Sequence, residues 1–91
     1  MTEQAIQSKI LVYLKSKGYY ARKVVTSNHA GVPDILACVK GRFIGIEVKK
    51  AGEKPSVLQN HNIDLITMSG GIAFVAYSVD DVKKQLDILR E

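Results

Sequence analysis

Cysteine is nearly absent from this sequence, since Cys38 is the single one among 91 residues. It has no partner for a disulfide within the chain, which favours a reducing compartment such as the cytoplasm. No apolar run approaches the roughly 18 residues of a membrane-spanning helix. The first residues also lack the apolar core of a signal peptide. We therefore expect a protein that neither spans a membrane nor is exported.

Several motifs with known chemistry are also missing. The sequence has no GxxxxGK[ST] or GxGxxG loop, no pair of CxxC motifs and no GxSxG elbow. Their absence argues against a phosphate-loop NTPase, a dinucleotide-binding protein, a zinc ribbon and a serine hydrolase of that type. We therefore expect no nucleotide cofactor. Internal repeats, low-complexity tracts and linkers are absent too, so the sequence predicts one domain over 1–91.

The charge balance favours a polyanionic partner. Net charge is +4, the isoelectric point is near 9.3 and 46% of the residues are hydrophobic. That hydrophobic content is typical of a globular protein, and a basic globular protein commonly binds nucleic acid. Ordinary solubility explains the same charge nearly as well.

One stretch, 31–49, predicts a β-hairpin. Two apolar runs flank Lys40-Gly41, and a two-residue turn that ends in glycine is a strong hairpin signal. With this turn, paired positions sum to 81, so Asp34 faces Glu47 across the ladder. Directly opposed residues share a face, with Cβ atoms roughly 4.5–5.5 Å apart. Lys49 lies two residues after Glu47 and points the same way.

Two opposed carboxylates are costly unless something neutralises them. A divalent cation would do so, because hard oxygen ligands suit Mg²⁺ or Mn²⁺. A solvated face on which Lys49 pairs with Glu47 explains the pattern about equally well. Pro33 favours the functional interpretation, because it stiffens the backbone before Asp34 at a position where no ladder donor is lost. Gly31 would let a phosphate backbone come close.

The remaining chain predicts the order α-β-β-β-α-β-α. Helices are expected over 2–17, from 56 to about 69 and from 78 onward, with strands over 19–26 and 72–77 beside the hairpin. The strand over 72–77 is apolar throughout, which predicts a central place in a mixed sheet. A β-helix-β crossover should connect the second hairpin strand to it.

Two further side chains have a structural and a functional interpretation each. Glu3 lies at the end of the inward stripe of the first helix, where it either complements the helix dipole or reaches the carboxylate pair. Gln59 completes a capping box with Ser56. It also lies on the inward face of its helix, so a role in the site stays open.

Other polar residues look structural. His29 is expected in an exposed loop, although contact with a phosphate is an alternative. His61 is expected to be a partly buried helix residue and Cys38 a small packing residue. Asp80 and Asp81 fit the start of the last helix.

The combination of 31–34 (Gly-Val-Pro-Asp), 46–49 (Ile-Glu-Val-Lys) and Gln59 resembles the virus-type replication-repair nuclease (VRR-NUC) branch of the PD-(D/E)xK superfamily. The resemblance covers nearly the whole chain. It implies an α/β fold with a restriction-endonuclease-like mixed sheet.

The resemblance also implies site roles. Asp34, Glu47 and the Val48 carbonyl would bind Mg²⁺ or Mn²⁺, and Glu3 would join through a water or a second ion. Lys49 would orient or activate the attacking water or stabilise the developing charge. Gln59 would position that assembly. Products would carry 5′-phosphate and 3′-hydroxyl ends.

The function expected from this resemblance is a metal-dependent endonuclease of DNA repair, encoded by a bacterium or a phage and active in the host cytoplasm. Small members of this kind are expected to nick four-way (Holliday) junctions as homodimers. Three alternatives stay open. A DNA-binding module would bind without metal and without cleavage. A general nuclease would lack junction preference, and a structural protein would bind neither metal nor DNA.

Overall fold

The computed structural model describes residues 1–89, so the last two residues of the domain predicted over 1–91 lie outside the described part. The elements follow the predicted order α-β-β-β-α-β-α. The helices are α1 (Glu3–Ser16), α2 (Val57–Met68) and α3 (Val79–Asp87), and the strands are β1 (Tyr20–Lys23), β2 (Ile35–Val39), β3 (Arg42–Val48) and β4 (Ile72–Ala76). Within residues 1–89, no helix is both long and apolar enough to cross a membrane.

Helix α1 lies where the sequence predicts it. The Thr2 hydroxyl caps its N-terminus by accepting a hydrogen bond from a first-turn backbone N–H at 3.1 Å, which satisfies one of the free helical donors. Gly18 follows the helix with a φ of 81°, a left-handed conformation that glycine adopts at little cost. The apolar stripe is buried at Ile6, Ile10 and Leu14.

The hairpin has the predicted register. Val39 pairs with Arg42 and Cys38 with Phe43, and the pairing continues to Ile35 with Ile46, so every pair sums to 81. Lys40 and Gly41 have φ values of 52° and 79°. Positive φ at both central residues is what a tight two-residue hairpin turn requires.

The sheet has the order β1-β2-β3-β4, with β3 and β4 parallel and the other neighbours antiparallel. The crossover through α2 is confirmed, but the central place predicted for the last strand is wrong. Within residues 1–89, β4 is an edge strand that pairs with β3. Its apolar character has another cause, because helices cover both of its faces.

Two strand ends also differ from the prediction. Strand β1 stops at Lys23 rather than Thr26, and just beyond its end the Val24 N–H donates to the Asp34 carbonyl at 2.8 Å. Strand β4 stops before Tyr77, because the Tyr77 N–H donates to the Asp81 carboxylate at 2.8 Å. Asp81 is therefore structural, as predicted.

The two faces of the sheet are covered differently. Helices α1 and α3 pack on one face, which we call the closed face; its core includes Ile10, Leu14, Ile35, Ala37, Ile44, Ile46, Val82 and Leu86. On the opposite face α2 packs against β3 and β4. The rest of that second face, which we call the open face, consists of Tyr20, Arg22, Leu36, Cys38 and Phe43, which point the same way across three strands.

Candidate active site

The hairpin brings Asp34 and Glu47 together. Asp34 precedes the first residue of β2, and Glu47 is the penultimate residue of β3. One Asp34 carboxylate oxygen accepts a hydrogen bond from the Val48 N–H at 2.8 Å. This bond fixes the Asp34 side chain against the end of β3, beside the Glu47 carboxyl.

Glu47 is a strongly perturbed acid. Its side chain is 2% exposed, and burial raises the pKa of the Glu47 carboxyl to about 8. The adjacent Asp34 carboxylate contributes to the higher pKa through its charge and a side-chain hydrogen bond. Within residues 1–89 the Glu47 Oε1 atom has no hydrogen-bond partner. A buried oxygen without a partner costs free energy, so this atom is suited to an external ligand.

Lys49 lies beside this pair, as the hairpin alternation predicts. Its Nζ atom is 3.7 Å from the Glu47 Oε2 atom, and its side chain is 15% exposed. The ammonium lowers the pKa of Glu47, but burial and Asp34 together outweigh it. One lysine therefore does not neutralise the carboxylate pair, which weakens the interpretation as an ordinary ion pair.

Glu3 reaches the same region from the other layer. One of its carboxylate oxygens accepts a hydrogen bond from the Lys50 N–H at 3.4 Å, just beyond the end of β3. Its charge makes a small contribution to the raised pKa of Glu47. Within residues 1–89, however, no three His, Cys, Asp or Glu side chains are grouped closely enough to hold a metal ion by themselves. Backbone oxygens or water would have to complete any coordination.

Gln59 has the structural role that the sequence offered for it. Its side-chain oxygen accepts from the Ser56 N–H at 2.8 Å, and its own N–H donates to the Ser56 hydroxyl at 3.1 Å. This is a complete capping box at the start of α2. The side-chain oxygen of Gln59 is thus engaged, and its NH₂ group is the part left for another role.

The loop before Asp34 is held by close packing. Gly31 has a φ of 84°, and a Cβ there would lie 2.7 Å from the Leu58 carbonyl oxygen. The predicted reason for this glycine, approach of a phosphate, is therefore not needed, because the backbone of α2 already occupies that side. Asn62, which the sequence analysis missed, donates to the carbonyls of Ala30 at 3.2 Å and Leu58 at 2.9 Å. An asparagine in the second turn of α2 was the available signal.

Pro33, the residue before Asp34, is packed tightly against the sheet. It is fully buried, and a Cβ on Gly45 would lie 3.1 Å from the proline ring and 3.0 Å from Ile66. The absence of a side chain at Gly45 therefore lets Pro33 and α2 close over the sheet. Phe43 lies two residues before Gly45 on the same face of β3 and is 48% exposed.

Three other residues lie away from the carboxylate pair. His29 is exposed in its loop, as predicted. His61 is exposed, so the prediction of partial burial is wrong, because it faces outward from α2. Cys38 is also exposed and is not a packing residue, because α2 covers β3 and β4 and leaves this part of β2 open.

The residues present fit a hard divalent cation. Asp34 and Glu47 offer carboxylate oxygens. Val48, the last residue of β3, lies between Glu47 and Lys49, and its N–H donates a hydrogen bond to Asp34. Oxygen donors of this kind suit Mg²⁺ and Mn²⁺. The Glu47 Oε1 atom gives the arrangement a free metal-binding oxygen, and a cation would offset the burial and the Asp34 charge that together raise the pKa of Glu47.

Comparison with known proteins identifies the family and the fold of the chain. The family model described as archaeal Holliday junction resolvase (Hjc) matches residues 4–89. No curated protein sequence matches the chain. A solved structure described as a VRR_NUC domain is 25% identical, with a TM-score of 0.80 over 93% of this chain and 94% of that one.

Two further structures are similar. A VRR_NUC domain protein is 22% identical, with a TM-score of 0.81 over 96% of this chain and 86% of that one. The Holliday junction resolvase Hjc of Archaeoglobus fulgidus is 25% identical, with a TM-score of 0.62 over 80% of this chain and 65% of that one. Family and fold together support an endonuclease. The chain belongs to the archaeal Holliday junction resolvase (Hjc) family, and its fold is a VRR-NUC domain of the PD-(D/E)xK nuclease superfamily.

Proposed function

We propose that this chain is a divalent-metal-dependent endonuclease that nicks four-way DNA junctions as a homodimer. One observation carries the proposal. Glu47 is buried against Asp34, and its Oε1 atom has no hydrogen-bond partner within residues 1–89. The Lys49 Nζ atom lies 3.7 Å from the other carboxylate oxygen, Oε2. A metal-dependent nuclease of this superfamily needs an oxygen-rich cation site beside a positive side chain, and this arrangement supplies both.

The metal role follows from the donor set. Asp34 and Glu47, together with the Val48 carbonyl, would hold Mg²⁺ or Mn²⁺. When bound, the ion supplies Lewis-acid activation of water and stabilises the charge that develops on the phosphate oxygens. Glu3 would join at the edge of the site through a water or a second ion. The hydrogen bond from the Val48 N–H to Asp34 keeps two of these donors in one rigid unit.

The remaining roles fall to Lys49 and Gln59. Lys49 orients the attacking water or stabilises the charge on the reacting phosphate, because its ammonium lies beside the carboxylates rather than in open solvent. Gln59 contributes its NH₂ group, since its oxygen is engaged in the helix cap. Attack of water on phosphorus with departure of the 3′ oxygen leaves 5′-phosphate and 3′-hydroxyl ends.

The junction substrate and the dimer rest on the family and on symmetry. The matching family model is that of a Holliday junction resolvase, and a four-way junction needs two opposed nicks. A two-fold dimer places two sites at a fixed separation and doubles a surface whose net charge per chain is +4. The paired sites favour a substrate that needs two opposed nicks, and the doubled positive charge strengthens DNA binding in general.

A cleavage panel tests the proposal. Labelled four-way junction, nicked duplex and linear duplex are incubated with the protein in Mg²⁺, Mn²⁺ or chelator. We expect paired nicks in the junction with either metal, poor cutting of linear duplex and none in chelator. Binding without cleavage in any metal would instead indicate a DNA-binding module. Equal cutting of junction and linear duplex would indicate a general nuclease.

A further inference from the structure

A pocket outside the carboxylate site lies between the N-terminal halves of α1 and α3. It has a volume of about 410 Å³, and Ile6, Tyr77 and Val79 line its apolar part. The polar part of its wall includes Lys9 and Asp80. A cavity of roughly 150 Å³ is enough to hold a benzene molecule, so this pocket has room for the two fused rings of a purine base.

The pocket lies next to the carboxylate site. The backbone N–H of Lys49 donates to the Ala76 carbonyl at 3.1 Å, which continues the pairing of β3 and β4 past Val48. Neighbouring strands lie roughly 4.8 Å apart, so Tyr77 follows β4 at the level where Lys49 follows β3. Ala51, two residues after Lys49, also lines the pocket. A DNA strand with a phosphate at the carboxylates therefore has its next nucleotide beside this pocket.

Hydrogen bonds fix the position of the Tyr77 ring. The Tyr77 hydroxyl donates to the Glu53 carbonyl at 2.9 Å, and the Tyr77 backbone N–H donates to the Asp81 carboxylate at 2.8 Å. Both ends of the residue are thus held, while 39% of its surface stays exposed. Bases of any sequence stack on aromatic rings, and a ring that is already fixed loses little conformational freedom when a base binds.

The charged side chains of the wall favour a base over a phosphate. Lys9 and Asp80 have opposite signs, and Asp80 lies in the first turn of α3. A phosphate in the pocket would meet a carboxylate, whereas binding of the DNA backbone relies on positive charge. A nucleobase is uncharged and carries hydrogen-bond donors and acceptors on its edge. An ammonium and a carboxylate together can bind both kinds of group.

We propose that this pocket binds one unpaired base of the DNA strand that is cut, stacked on Tyr77 with its edge toward Lys9 and Asp80. The inference rests on the proposed function and gives the junction preference a physical cause. Moving a base out of the helix costs least where its pairing is already weakened. Bases at a branch point, where the strands change partners, are easier to unpair than bases inside a continuous duplex.

Removal of single bases tests the contact from the DNA side. Affinity for a labelled four-way junction is measured by fluorescence anisotropy in chelator, with an abasic site placed at each position around the branch point in turn. For wild type we expect one position at which base removal weakens binding by about 5- to 150-fold, the range that loss of one base–aromatic stack produces. Base removal at the other positions should have a much smaller effect.

Variants of Tyr77 test the contact from the protein side. Tyr77→Ala should bind the intact junction as weakly as wild type binds the abasic one, and base removal should cause it no further loss, because the two changes remove the same contact. Tyr77→Phe keeps the ring and loses the hydrogen bond to Glu53, so it should keep most of the dependence on the base. Tyr20→Ala is the matched control, because it removes an exposed ring on the open face. It should keep the wild-type ratio of the two affinities.

A linear duplex with one unpaired base separates the pocket from recognition of the junction itself. Wild type should bind this duplex more tightly than a fully paired duplex of the same sequence, because the unpaired base enters the pocket without loss of a base pair. Tyr77→Ala should bind the two duplexes equally. Both measurements are made in chelator, so they do not depend on the cleavage chemistry.

Each other result would overturn the proposal. Base removal that weakens wild type and Tyr77→Ala by the same factor, or that has no effect at any position, would refute the base pocket and leave the proposed nuclease intact. Tight binding of free deoxyadenosine by a wild type that shows no such dependence would assign the pocket to a free nucleoside instead. Wild type that binds none of these DNAs would refute both the pocket and the proposed function.

Discussion

The two faces of the sheet have different tasks. On the closed face, Ile44 and Ile46 of the sheet and Ile10 and Leu14 of α1 are buried with no exposed fraction in any of the four. The opposite face holds a buried carboxylate at one end and exposed aromatic rings at the other. In this small protein one side of the sheet provides the stability, which leaves the other side free to carry charges and contacts that oppose folding.

The largest effect is expected at the carboxylate pair. Asp34→Asn or Glu47→Gln should abolish cleavage, because each removes a charged metal ligand. Neither should lower the unfolding midpoint in chelator at pH 8, since each also removes a like-charge repulsion. Junction cleavage and thermal unfolding of the same preparations check both halves. Turnover at the wild-type rate by either purified variant would refute the metal-site assignment.

Truncation on the closed face should instead cost stability. Ile44→Ala removes buried volume far from the carboxylates, so its free energy of unfolding should fall by about 2–5 kcal/mol. Tyr20→Ala on the open face should cost less than about 1 kcal/mol when measured on dilute monomer, because the side chain is mostly exposed. Denaturant unfolding of the two variants compares the faces directly. Equal losses would mean that the open face is part of the folding core.

At Lys49 we expect different effects on cleavage rate and on DNA affinity. Lys49→Ala should reduce the single-turnover cleavage rate about 10²-fold, as loss of one preorganised charge does. DNA affinity should change much less, because the role of the ammonium lies in the transition state. The exposed neighbour Lys50→Ala is the control, since a simple backbone contact affects affinity. Equal losses of rate and affinity in Lys49→Ala would reduce its role to such a contact.

The smallest effect is expected at Gln59. Gln59→Ala should lose roughly 0.3–1.5 kcal/mol of stability with the capping box. Gln59→Glu keeps a side-chain oxygen for the Ser56 N–H but has no NH₂ group. If this group contributes to the site, Gln59→Glu should retain stability and lose part of the cleavage rate. Full activity in Gln59→Glu would leave Gln59 with the structural role alone.

Local sequence rules predicted the hairpin and its consequences well. The Lys40-Gly41 turn fixes the register of β2 and β3, and the register places Asp34 beside Glu47. The capping box of Ser56 and Gln59 was predicted equally well, because the two residues are three positions apart. These features depend only on residues that are close together in the sequence, so they can be predicted from the sequence.

The wrong predictions concern contacts between elements that are distant in the sequence. The position of β4 at the edge depends on which strand lies beside it, and the exposure of Cys38 depends on how far α2 extends over the sheet. Gly31 misled us in the same way, since the backbone it accommodates belongs to Leu58 on a distant element. Which side chains of a sheet face are buried is decided by tertiary packing, and the alternation of apolar residues along a strand does not encode that packing.

The central claim is that the buried carboxylate pair exists to hold a cation, and metal-linked thermal unfolding tests it most directly. The pKa of Glu47 is about 8 in the folded chain against an ordinary value of 4.5. The folded state therefore keeps a proton that the unfolded state releases, so stability in chelator falls as pH rises from about 4.5 to about 8.

We predict that this decline is present in wild type and absent in Glu47→Gln. At pH 8, Mg²⁺ or Mn²⁺ should raise the unfolding midpoint of wild type in proportion to the logarithm of its concentration, and should leave Glu47→Gln unchanged. Wild-type and Glu47→Gln profiles that are identical across this pH range, with no response to either metal, would contradict the account.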